Sequence, residues 1–385
     1  MSTARSAYVH VPFCRHRCGY CNFTLVAGRD DLVPAYLDAL AHEFAQRLGQ
    51  PRAVDTIFLG GGTPSHLSPQ FLEQLLQLIS HWLRLEPNGE YSCEANPLDC
   101  TDQRLELLLG YGVNRISLGG QSFSDAKLRQ LDRDHSGRQL VEAIERCAAS
   151  FSRVSLDLIF AAPGESLSTW ESDVARALAC PIGHLSTYGL TIERGSAFYG
   201  RSLRQELTES ADEVQLDMYK HVIEALTGRG WEHYEVSSFA QPGQRCRHNE
   251  AYWLGAPWWA FGPGAASFEH AADGQAFFRR VNHRSTTTYI RKLRSGADAG
   301  SESEQLSREQ VLRELLVFGL RRLEGVNLAD LNRWWGGPVH ELFEPHLSRY
   351  INHGWLLQTG EQVRLSRAGL FISDGLWPDL LVGHD

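Results

Sequence analysis

Three cysteines lie close together near the start of the chain, at Cys14, Cys18 and Cys21. Thiolates are the ligands that iron–sulfur clusters require, and three of them in one loop can bind three irons of a four-iron cluster. The fourth iron then keeps an open position for a small molecule, as catalytic zinc does. The spacing therefore predicts a four-iron cluster with one exchangeable site.

A structural zinc site is the alternative, completed by His10, His16 or Cys246. Zinc knuckles usually pair their cysteines two residues apart and add a second, distant pair, which the sequence lacks. The other cysteines are scattered, as is typical of small buried residues. They are Cys93, Cys100, Cys147, Cys180 and Cys246. The cluster is the preferred interpretation.

Alternating strand-like and helix-like segments position this loop over the first 240 residues. Predicted strands are 7–12, 54–59, 90–95, 113–118, 154–160, 184–190 and 231–236. Amphipathic segments between them are 32–48, 70–83, 137–149, 170–178 and 212–229. Such repetition predicts an α/β fold with a parallel sheet, and six or seven units favour a full or partial (β/α) barrel. No G-x-G-x-x-G follows the first strand, so a dinucleotide-binding sheet is disfavoured.

Unusual residues follow the predicted strands at their carboxyl ends, where barrel enzymes place their chemistry. The cysteines follow the first strand and residues 60–64 follow the second. Glu94 ends the third strand, and Gln121 comes after the fourth. This coincidence supports both the barrel and the site.

The strand–helix pattern stops at residue 241 and is replaced by Gly, Pro, aromatic and basic residues. Helical periodicity returns at 308–322, 328–335 and 339–353, followed by a hairpin at 355–365 and a helix near Ser366. We predict a core domain over 1–240, a connecting segment over 241–305 and a small winged-helix-like helical domain over 306–385. Its basic stripe is weak, so a packing domain is preferred to a DNA-binding one.

Composition narrows the function classes. The net charge of −9 argues against a general nucleic-acid partner. No apolar stretch is long enough for a transmembrane helix, and the N-terminus lacks a signal-peptide pattern. We therefore expect a cytoplasmic protein, with peripheral membrane contact left open.

Taken in order, the motifs resemble the radical S-adenosylmethionine superfamily, in its HemN/HemW branch. The branch contains the oxygen-independent coproporphyrinogen III dehydrogenase and the HemW-type haem chaperones. The resemblance covers essentially the whole chain. Its motifs are the Cys-x3-Cys-x2-Cys loop, GGGTP at 60–64, EANP at 94–97, NRIS at 114–117, QSF at 121–123, DLI at 157–159, LTIE at 190–193, HNEAYW at 248–253 and GPGA at 262–265.

The resemblance implies that S-adenosylmethionine binds at the open iron. It implies contacts from Tyr8, Tyr20, Gly61, Gly62, Thr63, Glu94, Gln121, Arg133 and Asp157. The glycine backbone would approach the methionyl ammonium. Arg133 and Gln121 would hold the methionyl carboxylate, and Glu94 and Asp157 suit ribose hydroxyls or an ammonium.

Three features favour the chaperone over the dehydrogenase. Phe23 stands where the dehydrogenase has a further cysteine, and Tyr8 is almost at the terminus, without the long extension. The segment from His248 to Trp253 resembles the haem-binding signature of the chaperones. His248 would ligate haem iron, with Tyr252, Trp253, Trp258 and Trp259 covering the porphyrin and Arg245 and Arg247 pairing its propionates. The alternative is a loop histidine that only packs.

The first expectation is a haem chaperone that delivers haem to a haem protein and carries a 4Fe–4S cluster and S-adenosylmethionine. The second is a radical enzyme acting on coproporphyrinogen III, with flavodoxin or ferredoxin as electron donor. The third, a winged-helix regulator with a structural metal, is disfavoured by the acidic charge. Whether the protein is an enzyme at all stays open at this point.

Overall fold

Seven parallel strands, six of them from the first 190 residues, form the centre of a 12-stranded mixed sheet in the computed structural model, which describes residues 4–271 and 276–382. A two-residue ladder, β2 with β3, follows the first strand. The strands up to residue 189 are β1 (Ser6–Val11), β2 (Phe13–Cys14), β3 (Val26–Ala27), β4 (Arg52–Gly61), β5 (Leu83–Ala95), β6 (Arg115–Gln121), β7 (Arg153–Phe160) and β8 (His184–Gly189).

Helices connect these parallel strands. They are α1 (Val33–Leu48), α2 (Pro69–Trp82), α3 (Asp102–Gly110), α4 (Asp125–Gln130), α5 (Gly137–Ser150), α6 (Leu167–Ala179), α7 (Ala197–Leu203) and α8 (Asp212–Thr227). Short 3-10 turns lie at Asp30–Leu32, Pro64–His66 and Pro97–Asp99. Serine side chains accept a backbone N–H at the start of several helices, for example Ser136 at α5, which satisfies donors that lack an intrahelical partner.

Each parallel strand turns an apolar face outward, against the helices. Val9, Leu59, Ile116 and Leu156 are fully buried in this layer. Their alternation with polar residues is the period of two that a strand imposes. Burial of this layer between sheet and helices holds the core together.

The sheet is an open, partial barrel. Its strand order is β14-β13-β12-β11-β1-β4-β5-β6-β7-β8-β10-β9, so β1 and β8 do not pair with each other among the described residues. The predicted α/β barrel fold is confirmed in its partial form. The predicted seventh strand was wrongly taken as a further parallel unit. It forms β9 (Glu232–Glu235), which pairs antiparallel with β10 (Ser238–Ala240) at the sheet edge.

The segment 241–305 is more regular than the sequence pattern indicated. It contains α9 (Arg247–Trp253), β11 (Trp258–Phe261), β12 (Ala266–His270), β13 (Phe277–Asn282), α10 (Thr286–Arg294) and β14 (Gly300–Leu306). Strand β11 pairs parallel with β1, and β12 to β14 extend the sheet antiparallel from it. The pattern was missed because glycines and mixed aromatic and basic residues hide the strand alternation.

The C-terminal part combines helices with a small antiparallel sheet in the order β15-β17-β16, a winged-helix-like arrangement. Its elements are α11 (Arg308–Arg321), β15 (Val326–Asn327), α12 (Leu328–Trp335), α13 (His340–Phe343), α14 (His346–Asn352), β16 (Leu356–Thr359), β17 (Gln362–Leu365), α15 (Arg367–Leu370) and α16 (Ser373–Leu381). The sequence predicted one helix over 339–353. Pro345 divides it in two, because proline lacks a backbone N–H and forces the preceding residue into an extended conformation.

Among the residues that the structure describes, we find no helix that is both long and apolar enough to span a bilayer.

Candidate functional site

The inner face of the six parallel strands is polar and aromatic. Closed barrels usually fill this space with branched apolar side chains. Here two adjoining cavities occupy it instead, of about 360 Å³ and about 810 Å³. Inward-facing side chains that line them include Tyr8, His10, Phe58, Glu94, Arg115, Ser117, Ser155, Asp157, His184, Ser186 and Tyr188.

We call the smaller cavity the cluster cavity, because Cys14, Cys18 and Cys21 all line it. The loop that carries them is closed at its base by the ladder between β2 and β3. Inside the loop, the Arg17 guanidinium donates to the carbonyl oxygens of Cys21, Phe23 and Leu25. These bonds fold the loop back on itself, so that three cysteines of one segment face a common space.

The three thiols are free, and each has a different surrounding. Cys14 Sγ lies 3.4 Å from Thr63 Oγ1, and burial raises the pKa of this thiol to about 12. Arg133 Nη1 donates to Cys18 Sγ at 3.3 Å. Burial opposes ionisation of Cys18, but the hydrogen bond with His16 and the charge of Arg133 outweigh it and lower the pKa of the thiol. A cationic group beside the loop suits a cluster of thiolate ligands.

No group of three or more His, Cys, Asp or Glu side chains in the described ranges is arranged around a single metal ion. A four-iron cluster does not need such convergence, because each thiolate binds a different iron. The donor set, three free thiols around one cavity with an adjoining guanidinium, fits the cluster.

At the end of β4 the backbone lies so close to β1 and the residues after it that only glycine fits. Gly61 has a φ of +105°, and a Cβ there would lie 2.3 Å from the His10 ring. A Cβ on Gly62 would lie 2.7 Å from the carbonyl oxygens of Val11 and Phe13. Side chains at either position would clash, so the cavity wall is bare backbone at this point.

Two carboxylates face the cavities from β5 and β7, the strands on either side of β6. Glu94 Oε2 accepts the Gly61 N–H at 2.9 Å, and Asp157 accepts the Ser117 hydroxyl at 3.2 Å. Desolvation raises the pKa of Glu94 to about 8 and that of Asp157 to about 6. Carboxylates held in this way can bind hydroxyl or ammonium groups and gain from a cationic ligand.

Arg133 reaches into the cluster cavity from the loop after α4. Its Nη2 donates to Gly119 O at 2.7 Å, whereas the buried Nε has no hydrogen-bond partner in the described part of the chain. Gln121 lies nearby with a φ of +65°, an uncommon conformation for a residue other than glycine. Strained residues of this kind cluster at ligand sites.

The structure brings together most of the residues that the sequence proposed for S-adenosylmethionine. Tyr20, Gly61, Gly62, Thr63, Glu94, Gln121, Arg133 and Asp157 line the cluster cavity. Tyr8 lines the larger cavity instead, where its hydroxyl lies 3.1 Å from His10 Nδ1. Their roles stay predictions.

We call the larger space the aromatic cavity. Rings line it from three parts of the fold, namely Phe58 on β4, Tyr252, Trp253 and Trp258 at α9 and β11, and Phe318 on α11. It shares Phe23, Gly61, Glu94, Ser117, Asp157 and Tyr188 with the cluster cavity. A ligand in one cavity therefore lies beside a ligand in the other.

His248 lies at the wall of the aromatic cavity and is 1% exposed. Its ring stacks on Phe58 with a centroid distance of 5.2 Å. Nδ1 lies 2.8 Å from Thr56 Oγ1, and Nε2 lies 2.7 Å from the Tyr252 hydroxyl. Burial lowers the pKa of this imidazole to about 3, so the ring is neutral, as a metal ligand must be.

The arginines predicted to pair with propionates point elsewhere. Arg245 donates to Glu232 at 2.7 Å and to Glu324 at 2.6 Å, and Arg247 donates to Asn88 O at 2.6 Å. Neither of them lines the aromatic cavity, and Trp259 does not line it either. That part of the prediction was wrong, because nearby acids and a carbonyl compete for these guanidinium groups.

Arg115 and Arg284 are the arginines that do line the aromatic cavity in the described residues, and the sequence analysis missed both. The signal was present for Arg115. Polar residues recur at every second position of β5, β6, β7 and β8, which marks an inner face that cannot be an apolar core.

Comparison with known proteins agrees with this geometry. The family model of the Radical SAM superfamily matches residues 8–177, and that of the HemN C-terminal domain matches residues 306–372. The fold is also that of coproporphyrinogen III oxidase (HemN) from Escherichia coli, with a TM-score of 0.85 at 19% identity, over 98% of this chain and 90% of that one. The protein is a radical S-adenosylmethionine protein in its fold.

Its sequence relatives are more specific. The chain is 32% identical to "Heme chaperone HemW" from Lactococcus lactis, over 98% of this chain and 97% of the relative. It is 35% identical to the protein of the same name from Mycobacterium tuberculosis, over 97% and 94%. It is 31% identical to the mitochondrial "Radical S-adenosyl methionine domain-containing protein 1" from Danio rerio, over 98% and 87%. The chain belongs to the HemW family.

Membership of the radical S-adenosylmethionine superfamily implies a 4Fe–4S cluster and S-adenosylmethionine. The cluster cavity agrees with both, since it joins three thiols to a space walled by glycine backbone, carboxylates and a guanidinium.

Proposed function

We propose that the protein is a haem chaperone, which binds haem in the aromatic cavity and delivers it to a haem protein. The observation that carries this proposal is a second cavity of about 810 Å³, separate from the cluster cavity and sharing a wall with it. Its volume lies within the roughly 300–1,000 Å³ that cofactor sites occupy. The relatives named as haem chaperones support the same function.

Aromatic rings suit the macrocycle. Tyr252 and Trp258 meet edge to face at 4.6 Å between centroids, and Trp253 and Phe318 approach to 6.2 Å. Flat apolar faces of this size remove a porphyrin from water and add stacking energy. The rings come from α9, β11 and α11, so the site forms only when the C-terminal part is packed on the core.

His248 is our proposed iron ligand, through Nε2. Ligating histidines usually donate their other ring N–H to a neighbouring acceptor, and Thr56 Oγ1 lies at 2.8 Å to accept it from Nδ1. The Tyr252 hydroxyl holds Nε2 at 2.7 Å, so iron binding requires this hydroxyl to move aside. The Tyr252 hydroxyl is therefore the alternative iron ligand that the experiment has to distinguish from His248.

The cluster site completes the proposal. Cys14, Cys18 and Cys21 would hold three irons, and S-adenosylmethionine would meet the fourth. When bound, the cluster supplies one-electron chemistry. Arg133 and Gln121 orient the methionyl carboxylate, the backbone of Gly61 and Gly62 and the Thr63 hydroxyl face the ammonium, and Tyr8, Tyr20, Glu94 and Asp157 surround the remainder. A small redox protein such as flavodoxin or ferredoxin would donate the electron.

A radical oxidoreductase acting on coproporphyrinogen III is the second candidate. The likeness to HemN from Escherichia coli supports it in fold alone, at 19% identity. Phe23 disfavours this candidate. The dehydrogenase has a further cysteine at this position, whereas here the position holds a phenylalanine whose side chain is 60% exposed. The haem-chaperone function does not require a cysteine at this position.

Haem titration of anaerobically reconstituted protein tests the proposal. We expect a Soret shift that is lost or at least tenfold weaker in His248→Ala, with iron content of the cluster unchanged. Tyr252→Phe removes the competing hydroxyl and should bind haem at least as tightly as the wild type. His184→Ala is the matched control, because His184 also lines the cavity with both ring nitrogens hydrogen-bonded, and it should leave the Soret shift intact.

Two results would contradict these assignments. Loss of binding in Tyr252→Phe, with binding retained in His248→Ala, would make the phenol the ligand. Catalytic formation of protoporphyrinogen IX from coproporphyrinogen III, with reductant and S-adenosylmethionine, would replace the chaperone by the enzyme.

A further inference from the structure

A buried arginine at the floor of the aromatic cavity has unused hydrogen-bonding capacity. Arg115 is the first residue of β6 and is 2% exposed, yet it lines the cavity. Its Nη1 donates to Gln244 O at 2.9 Å, whereas its Nη2 is buried with no hydrogen-bond partner in the described residues. Buried guanidinium donors are normally paired, so an unpaired donor on a residue that lines a cavity indicates a ligand.

The charge of Arg115 is only partly balanced by protein. Glu90 Oε2 lies 3.9 Å from Nη1, beyond hydrogen-bond distance. Glu90 accepts instead from the backbone N–H groups of Arg247 and His248, at 3.3 and 3.1 Å. Glu90 is therefore shared between these amides and the guanidinium, and Nη2 of Arg115 is left without a partner in the described residues.

The two ends of the inner face offer a ligand different groups. Glu94 and Asp157 lie toward the carboxyl ends of the strands, at the wall shared with the cluster cavity. Arg115 lies at the opposite, amino end of β6. The first end offers carboxyl groups, of which Asp157 is ionised at neutral pH, whereas the second offers an unpaired guanidinium donor, so the cavity orients a ligand that has a carboxylate on one side.

We infer that Arg115 is a subsite for a carboxylate side arm of the tetrapyrrole, that is, one propionate of haem. This inference rests on the proposed function, since it takes haem as the occupant of the aromatic cavity. A guanidinium with open donors pairs a carboxylate through parallel N–H bonds, which a buried site strengthens. The propionate would supply the partner that Nη2 lacks.

Binding of haem and of its dimethyl ester, in the same detergent and to the full chain with its cluster reconstituted, tests this subsite. We expect the wild type to prefer the free acid by about ten- to a hundredfold, the range of a charge-assisted hydrogen bond. Arg115→Gln should lose this preference. Arg247→Gln should keep it, because Arg247 lies outside the cavity.

Equal affinity of the two porphyrins for the wild type overturns the subsite alone, and so does an Arg115→Gln protein that keeps the preference. No Soret change with either porphyrin overturns the proposed function and the subsite together. If Arg115→Gln does not fold, Arg115→Lys replaces it, because lysine keeps the charge near Glu90 without the planar fork. A reduced preference in that variant supports the subsite, and an unchanged one overturns it.

Discussion

Arg133 makes two contacts and keeps one donor free. Its Nη1 and Nη2 hold Cys18 Sγ and Gly119 O, and its Nε has no partner in the described chain. The side chain therefore connects the cysteine loop to the end of β6 while still facing the cluster cavity. A residue in this position can contact both a cluster ligand and a molecule bound in the cavity.

Replacing Arg133 by alanine should weaken S-adenosylmethionine binding by about 1.5–3 kcal/mol, because a charge-assisted hydrogen bond is lost. Equilibrium dialysis with labelled ligand measures the change, and iron analysis shows whether the cluster persists. Arg138→Ala is the control, since the Arg138 side chain is 89% exposed on α5. Unchanged affinity in Arg133→Ala would show that the carboxylate is held elsewhere.

Glu94 gives the cluster-free, ligand-free protein a pH-dependent stability. Its pKa is raised from 4.5 to about 8 by desolvation, so the folded protein binds more protons than the unfolded chain between these values. The free energy of unfolding therefore falls as pH rises from about 4.5 to about 8. Glu94→Gln does not titrate and should lose this fall.

Urea denaturation at pH 5.5 and 8.5 measures the effect. The difference in the free energy of unfolding between Glu94→Gln and the wild type should shift in favour of the variant by about 1–2 kcal/mol from pH 5.5 to pH 8.5, after allowance for solvent screening. Asp157→Asn is the matched control. Its pKa of about 6 places most of its effect below the pH window, so its advantage should grow less. Parallel pH profiles for Glu94→Gln and wild type would refute the assignment.

At the scale of elements, α11 links the two parts of the chain. Arg321 lies over the Trp253 ring at 4.6 Å, and Phe318 contacts the same ring and lines the aromatic cavity. Helix α9, which carries His248, therefore lies between the parallel sheet and the C-terminal part. Helix α11 thus forms one wall of the proposed haem site and none of the cluster cavity.

Phe318→Ala should lower haem affinity by about five- to tenfold, because one aromatic wall is lost. Binding of S-adenosylmethionine should not change, since Phe318 does not line the cluster cavity. Leu357→Ala, on the partly exposed hairpin of the C-terminal sheet, controls for general effects in that part. Equal loss of both ligands in Phe318→Ala would indicate misfolding and contradict a local wall.

At the scale of the whole molecule, the two cavities lie side by side within the partial barrel, and Glu94 and Asp157 line both of them. Asp157, with a pKa of about 6, is ionised at neutral pH, and a cationic sulfonium and ammonium beside it neutralise charge that otherwise repels a propionate. S-adenosylmethionine should therefore tighten haem binding, by roughly fivefold or more.

Thermodynamic linkage makes this coupling reciprocal, so haem must tighten S-adenosylmethionine binding by the same factor. Haem titrations with and without S-adenosylmethionine, and dialysis with and without haem, measure the two factors independently. A shared-wall variant, Asp157→Asn, should reduce both factors together. Factors of one in both directions would show that the cavities do not communicate.

The sequence by itself determined the cysteine loop, the six parallel strands up to residue 190, four of the helices between them, and the family. All of these features depend on the spacing of residues close together in the sequence, which does not require the tertiary structure. Thiol spacing depends on neighbouring residues, and strand or helix periodicity on a window of a few turns. Residues at strand ends also meet at one edge of a parallel sheet, so most of the predicted S-adenosylmethionine set converges on the cluster cavity.

Only the tertiary structure decided that the barrel is open, that its interior holds two cavities, and which arginines face them. Arg115 lies inside and Arg245 outside because partners distant in sequence compete for each guanidinium. Likewise, the predicted connecting segment over 241–305 forms strands because β1 offers a free edge to β11. A strand's alternation shows that it has two faces, but which face borders a cavity depends on how the whole sheet curves and closes.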